Sequence, residues 1–169
     1  RGLTPLHAAG HPKCIELLLQ APGIKINTVE STLGRTPLAV AANQGQLECL
    51  KLLLQADGIA VNKANKDGLN PLSIAANLGH SKCIEALLKD ARVNVNQPDN
   101  DGFFPLWEAC VHMRTAMSNM GACDGRFDDH TDPIRGLVLF LRSRRVSTAA
   151  LDQAIDRCKD KHPSKREIS

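Results

Sequence analysis

The side chains best suited to bind a metal ion lie after residue 109. Cys110, His112, Cys123 and His130 are ligands of the kind that zinc prefers. Their spacing matches no compact zinc motif, and Cys123 and His130 fall in a polar stretch typical of a loop. We therefore expect no metal and no cofactor. The alternative, zinc in this stretch, predicts stoichiometric metal that is lost when Cys123 is changed.

Three further cysteines and one histidine have spacings that suggest structural roles. Cys14, Cys49 and Cys83 recur at intervals of 35 and 34 residues. If neighbouring helices keep their usual separation, these cysteines should stack about 10 Å apart. Because a disulfide needs a shorter separation, we expect buried apolar thiols instead. His7 is similarly predicted to be a structural, hydrogen-bonded residue rather than a catalytic base.

The sequence contains no recognisable catalytic motif. Gly121 and Gly125 precede acidic residues, so they do not form a phosphate-binding glycine loop. There is also no nucleophile elbow and no metalloprotease helix. The basic residues 142, 144 and 145 favour a helix C-terminus on a solvated face, and the alternative is a grip on an acidic partner or a phosphate. We predict that the protein is not an enzyme.

Composition limits the remaining classes of protein. The chain has 169 residues, a formal charge of +3, 43% hydrophobic and 23% charged residues, which suffice for a soluble core. No stretch is apolar enough to span a membrane, and the charge is too mild to argue for nucleic acid. The six cysteines resemble no secreted framework. We expect a monomer in the cytoplasm, with the nucleus as the alternative.

The elements that position these residues come from an internal repeat. Glycine, two variable residues, proline and leucine recur at 34–38, 68–72 and 102–106, a period of 34 residues, with an earlier copy at 2–6. Thr36 can cap a helix that begins at Pro37. Gly45 suits a helix end, and Leu50 and Leu53 lie on the buried face of a second helix. The turn-rich residues that follow predict a hairpin.

These motifs resemble the ankyrin repeat, through residues 4–9 (TPLHAA), 36–38 with 41–42, 79–80 and the closing Val-Asn pairs at 61–62 and 95–96. The resemblance covers about residues 1–112. It implies an all-α solenoid of helix-turn-helix units with protruding hairpins and a C-terminal capping helix. We expect one domain over 1–160, made of units at about 1–33, 34–67, 68–101 and 102–147, a capping helix at 148–160 and a tail at 161–169.

The copies depart from the family pattern at two positions. Threonine is replaced by Asn70 and Phe104, and histidine by Ala39, Ser73 and Trp107. We expect these copies to lose hydrogen bonds between neighbouring hairpins and to be looser there.

The first copy is three residues shorter than the others between about Ala9 and Gly10. A true deletion would shorten the first helix by about 4.5 Å and rotate its exit by about 300°, which should harm stacking. We therefore expect that residues are missing at this point.

The fourth unit carries an insertion at 113–132. Long insertions in stacked repeats fall in surface loops that are either disordered or functional, and the polar composition favours disorder. The first helix of this unit could also simply be longer. A second-helix pattern returns at Ile134.

The resemblance implies that hairpin tips and first-helix ends form a concave face that contacts a partner protein or peptide. We call the following ten residues the tip strip: Leu33, Arg35, Lys66, Leu69, Asn77, Leu78, Asp101, Phe103, Trp107 and His112. Phe103 is predicted to dominate binding because large aromatic residues often do so. For Trp107, packing within the fourth unit is an equal alternative. The predicted function is non-enzymatic protein binding. The alternative is a regulatory or substrate-recruiting domain of a larger enzyme or effector, since the chain begins without Met.

Overall fold

The computed structural model describes residues 2–119, 133–143 and 145–159. All regular secondary structure in these residues is helical. The helices are α1 (Pro5–Ala8), α2 (Pro12–Leu19), α3 (Pro37–Asn43), α4 (Leu47–Gln55), α5 (Pro71–Asn77), α6 (Ser81–Lys89), α7 (Pro105–Asn119), α8 (Pro133–Arg142) and α9 (Thr148–Lys159).

The helices form a linear stack of layers, as predicted. Each layer pairs a first helix with a second helix, namely α1 with α2, α3 with α4, α5 with α6 and α7 with α8. First helices pack on first helices, and second helices pack on second helices of the next layer. The core is a continuous band of leucine, isoleucine, valine and alanine between the two rows. This arrangement confirms the all-α solenoid.

The first helices begin where the sequence places their caps. The Thr36 hydroxyl accepts a hydrogen bond from the Ala39 amide at 3.2 Å, and Pro37 occupies the first helical position. In the next layer the Asn70 side chain accepts from the Ser73 amide at 2.8 Å. Asn70 therefore takes over the capping role of threonine, because an amide oxygen caps a helix as well as a hydroxyl does. The expected loss of hydrogen bonds between neighbouring hairpins concerns other contacts and stays a prediction at this position.

Gly45 marks the end of α3 and shows why no other residue suits this turn. Its φ of +66° lies in the left-handed region that glycine adopts without strain. A Cβ atom there would also lie 2.7 Å from the His80 ring of the following layer. The predicted turn is confirmed, and close packing between layers reinforces it.

The shortened first unit keeps its place in the stack. Helix α1 has four residues, whereas α3 and α5 have seven. Ala9 (φ −75°, ψ 82°) forms a tight turn in which the Gly10 amide donates to the Ala8 carbonyl at 2.9 Å. Helix α1 still packs on α3. The shortened first helix therefore still stacks on its neighbour, and the expectation that residues are missing at this point stays a prediction.

The repeated cysteines differ in their surroundings. Cys49 and Cys83 are buried, at 2% and 1% exposure, whereas Cys14 is exposed. The Cys49 thiol lies 3.9 Å from the Ala9 carbonyl oxygen of the layer before it. The prediction of three buried thiols is therefore wrong for Cys14, because the preceding layer provides the cover at this position.

The C-terminal part continues the stack with longer connections. Helix α7 extends to Asn119, so the first residues of the predicted insertion are helical, and residues 120–132 lie outside the described residues. Helix α9 packs on α7, and its Gln153 side chain accepts from the Phe104 amide and donates to the Gly102 carbonyl. Its role as a terminal cap stays a prediction. The predicted tail at 161–169 also lies outside the described residues.

Candidate functional site

Each hairpin tip is closed by one acceptor side chain that stands before its glycine. In the first hairpin the Glu30 carboxylate accepts from the Thr32 and Leu33 amides at 2.7 and 2.8 Å. In the second hairpin the Asn65 side chain accepts from the Asp67 and Leu69 amides at 3.0 and 2.9 Å. Asp99 does the same in the third, accepting from the Asp101 and Phe103 amides at 2.9 and 2.8 Å. The backbone at all three tips is therefore fixed before any partner arrives.

Glu30 is the acceptor whose ionisation is most strongly affected. Burial raises the pKa of this carboxyl group, but the hydrogen bonds from the Arg35, Leu33 and Thr32 amides outweigh it and lower the pKa to about 2. The Arg35 guanidinium adds a contact at 3.4 Å. Glu30 is thus charged at neutral pH and holds Arg35 on its own hairpin.

Neighbouring tips are joined directly to one another. The Lys66 amide donates to the Leu33 carbonyl at 2.9 Å, and its ammonium group reaches the Ser31 and Thr32 carbonyls at 2.5 and 2.9 Å. The Asn100 amide donates to the Asp67 carbonyl at 3.1 Å. Lys66, predicted to contact a partner, is therefore engaged in linking two hairpins.

The ends of the first helices are connected in the same manner. His80 donates from Nε2 to the Asn43 carbonyl at 3.1 Å, and burial lowers the pKa of His80. His112 Nδ1 lies 3.1 Å from the Asn77 carbonyl oxygen. The Asn77 side-chain amide also donates to the Glu108 carboxylate. Asn77 and His112, both members of the tip strip, are in contact and join two layers.

The tip strip ends in an aromatic pair. The Phe103 and Trp107 rings stack with centroids 5.9 Å apart and planes inclined by 29°. Trp107 stands where His7 stands in the first unit. There, Nδ1 of His7 accepts from the Thr4 amide, which leaves Nε2 to donate to the Arg35 carbonyl at 2.9 Å. The fourth unit therefore places an aromatic contact at the position where the first unit has its histidine.

The tip strip is partly exposed and partly structural. Its exposed members are Leu33, Lys66, Asn77, Leu78 and Asp101, and its half-buried members are Arg35, Leu69, Phe103, Trp107 and His112. Direct contacts join Lys66 to Leu33 and His112 to Asn77. The apolar side chains of Leu33 and Leu78 are 40% and 37% exposed, which leaves them available for a partner.

Sequence reasoning missed the three acceptors that shape the tips. A carboxylate or amide residue stands three or four positions before each hairpin glycine, at 30, 65 and 99. This recurrence is visible in the sequence, although the residue type changes each time. Ser73, at the histidine position, has a buried hydroxyl without a partner among the described residues, as expected for the lost link.

Arg145 corrects an expectation about the basic cluster. Its guanidinium donates to the Leu88 and Asp90 carbonyls at 3.2 and 3.1 Å and to the Ala91 carbonyl at 3.1 Å. It therefore closes the C-terminal end of α6 within the chain. It does not lie on a solvated face, and it is not free to grip a partner.

The hypothesis of a metal site remains a prediction. No group of three or more potential ligands that could hold a metal occurs among the described residues. Cys110 is buried and His112 belongs to the tip strip, whereas Cys123 and His130 fall outside the described part of the chain. Within that described part, no helix combines the length and the apolar character needed to cross a membrane.

Comparisons with known proteins agree with this architecture. A family model described as ankyrin repeats (3 copies) matches residues 1–65 and 57–119. The crystal structure of EF0377, an ankyrin repeat protein, superposes with a TM-score of 0.66 at 22% sequence identity, over 85% of this chain and 63% of that chain. This chain thus spans less than two thirds of the length of EF0377. Curated proteins give no match. The recurring units, the linear stack and the family match together show that the chain belongs to the ankyrin-repeat family.

Proposed function

We propose that this protein binds a partner protein or peptide along the tip strip. Ankyrin repeats are generally protein–protein interaction modules, and their fold is typically non-enzymatic. The observation that carries the proposal is the mutual locking of the hairpin tips, which holds a row of side chains in fixed positions. A rigid surface loses little conformational entropy when a partner binds.

The chemistry of the tip strip favours a partner with an apolar anchor. Leu33 and Leu78 are exposed at two different layers of the strip, and the Phe103–Trp107 pair stands at its far end. Stacked aromatic residues offer a large, stiff contact area at low entropic cost. Asp101 lies beside this pair in sequence and is exposed. We therefore expect a partner segment that places an apolar or aromatic residue near Phe103.

The experiment is affinity capture from the native cell with wild-type protein and with Phe103→Ala. Leu141→Ala is the matched control, because Leu141 is 55% exposed but lies on α8, away from the tip strip. A true partner is lost with Phe103→Ala and retained with Leu141→Ala, while the circular dichroism of both variants matches the wild type. Leu69→Ala and Arg35→Ala should weaken binding less. Equal capture by wild type and Phe103→Ala would remove the aromatic end of the strip from the proposal.

A further inference from the structure

Three asparagine side chains make the same hydrogen bond in successive layers, and the residues that accept it mark equivalent positions. The Asn27 side-chain amide donates to the Gly58 carbonyl at 2.8 Å. Asn62 donates in the same way to the Arg92 carbonyl at 2.8 Å, and Asn96 to the Arg145 carbonyl at 2.7 Å. Gly58, Arg92 and Arg145 therefore occupy the same structural position, one in each successive loop.

At two of these three positions an arginine side chain binds the layer before it. The Arg145 guanidinium reaches the carbonyls of Leu88 and Asp90 at 3.2 and 3.1 Å, at the C-terminal end of α6. It donates further to the carbonyls of Ala91 and Val93. Arg92 reaches the Leu54 carbonyl at 2.6 Å, at the C-terminal end of α4. Free carbonyls at a helix C-terminus attract a cation with several donors.

The third position carries glycine and therefore has no side chain. A Cβ atom built on Gly58 would meet nothing within 4 Å. A cavity of about 580 Å³ opens there between α2 and α4, and its lining includes Gly58 and Leu19. Leu19 is the last residue of α2 and corresponds to Leu54 and Leu88, whose carbonyls accept from arginine in the later layers. The cavity thus lies where the other layers hold a guanidinium group.

The lining suits the whole of an arginine side chain. Leu19, Ile24 and Leu52 supply apolar walls for the methylene stem. Glu16 and Asp57 add two carboxylates to the negative end of the α2 dipole. A planar guanidinium with five N–H donors can satisfy several carbonyls at once, which an ammonium group on a flexible chain does less well.

We propose that the cavity between α2 and α4 is a binding site for an arginine side chain supplied by a partner polypeptide. The site is separate from the tip strip, so it does not depend on the function proposed above. The partner's guanidinium would make there the contacts that Arg92 and Arg145 make within the chain.

The test uses the peptide Ac-Ala-Ala-Arg-Ala-Ala-NH2 and two analogues with citrulline or lysine in place of arginine. Amide chemical shifts of the labelled protein are followed during titration. The arginine peptide should shift the Leu19, Gln20 and Gly58 resonances saturably, with affinity in the millimolar range. The citrulline peptide should bind at least roughly tenfold more weakly, because it lacks the charge that strengthens hydrogen bonds to carbonyls. The lysine peptide should fall between them.

Two pairs of substitutions locate the binding site. Glu16→Gln with Asp57→Asn should weaken the arginine peptide severalfold, because both carboxylates line the cavity. Glu48→Gln with Asp152→Asn is the control, since it removes the same charge from exposed residues outside the lining. Equal binding of the citrulline peptide, equal loss in both double variants, or an absence of saturable shifts at Leu19 and Gly58 would each overturn the proposal.

Discussion

The interface between the first and second layers and the interface between the second and third layers are built from corresponding residues. Only the latter contains an arginine side chain that caps the preceding second helix. Where the second layer packs on the first, the loop that follows α4 carries Gly58 and leaves a cavity. Where the third packs on the second, the same loop position carries Arg92, which caps α4. The cysteine near the start of α2 is exposed, whereas the corresponding cysteines of α4 and α6 are buried. A repeated sequence position therefore fixes local conformation, but the neighbouring layer fixes its environment.

The largest difference in stability between the layers should appear when leucines of their second helices are replaced by alanine. Leu53 on α4 is 1% exposed, whereas Leu17 on α2 is 63% exposed. We expect Leu53→Ala to lower the free energy of unfolding by about 2–5 kcal/mol, since it leaves a cavity in the core. Leu17→Ala should change it by less than about 0.5 kcal/mol. Urea denaturation measures both values. Similar losses in the two variants would mean that the first layer is covered in solution.

The rate of thiol modification should also differ between the first layer and the later layers. Burial raises the pKa of Cys83 from 9.0 to about 11, and burial also raises the pKa of Cys49. This higher pKa reduces the thiolate fraction of Cys83 by about a hundredfold near neutral pH. We expect iodoacetamide to modify Cys14 at least that much faster than Cys83, as measured by peptide mass spectrometry over time. Comparable rates would contradict the burial of Cys83.

The contribution of each arginine cap to the stability of the protein should depend on how deeply its side chain is buried. Arg145 donates to one carbonyl of α6 and to three of the loop that follows it, and it is half-buried, so Arg145→Ala should destabilise the protein by about 2 kcal/mol. The Arg92 side chain is 53% exposed and pairs with Asp90 at 2.7 Å, so Arg92→Ala should destabilise the protein much less than Arg145→Ala does. Chemical denaturation gives both numbers. An Arg145→Ala variant as stable as the wild type would show that its contacts contribute nothing net.

The smallest effect should come from the side chains that accept hydrogen bonds in the first and second hairpins, and it should appear in the pH dependence of stability. Glu30 has its pKa lowered from 4.5 to about 2. The unfolded chain therefore binds the proton more readily, and the stability from this group is present above pH 4.5 and lost as the pH falls towards 2. Asn65, its counterpart in the second hairpin, does not titrate. We expect Glu30→Gln to reduce the dependence of the urea midpoint on pH below 4.5. Asn65→Ala is the control, because it should leave that dependence unchanged.

Much of the fold followed from short-range features. The positions of Thr36, Pro37 and Gly45 predicted where α3 begins and ends, because caps and left-handed turns depend on a few adjacent residues. The hairpin acceptors were missed because glutamate, asparagine and aspartate fill one role at 30, 65 and 99. The role of Arg145 was missed because its acceptors lie 52 to 57 residues earlier in the chain.

The sequence by itself determined the period, the helix pairs and the linear architecture, since each unit repeats the same local signals for caps and turns. Only the tertiary structure decided which members of a repeated set are buried, engaged or accessible. Cys14 and Cys49 share a position but not an environment, and Lys66 turned out to link two tips. Burial depends on what packs against a residue, and that partner comes from another unit, which no local pattern specifies.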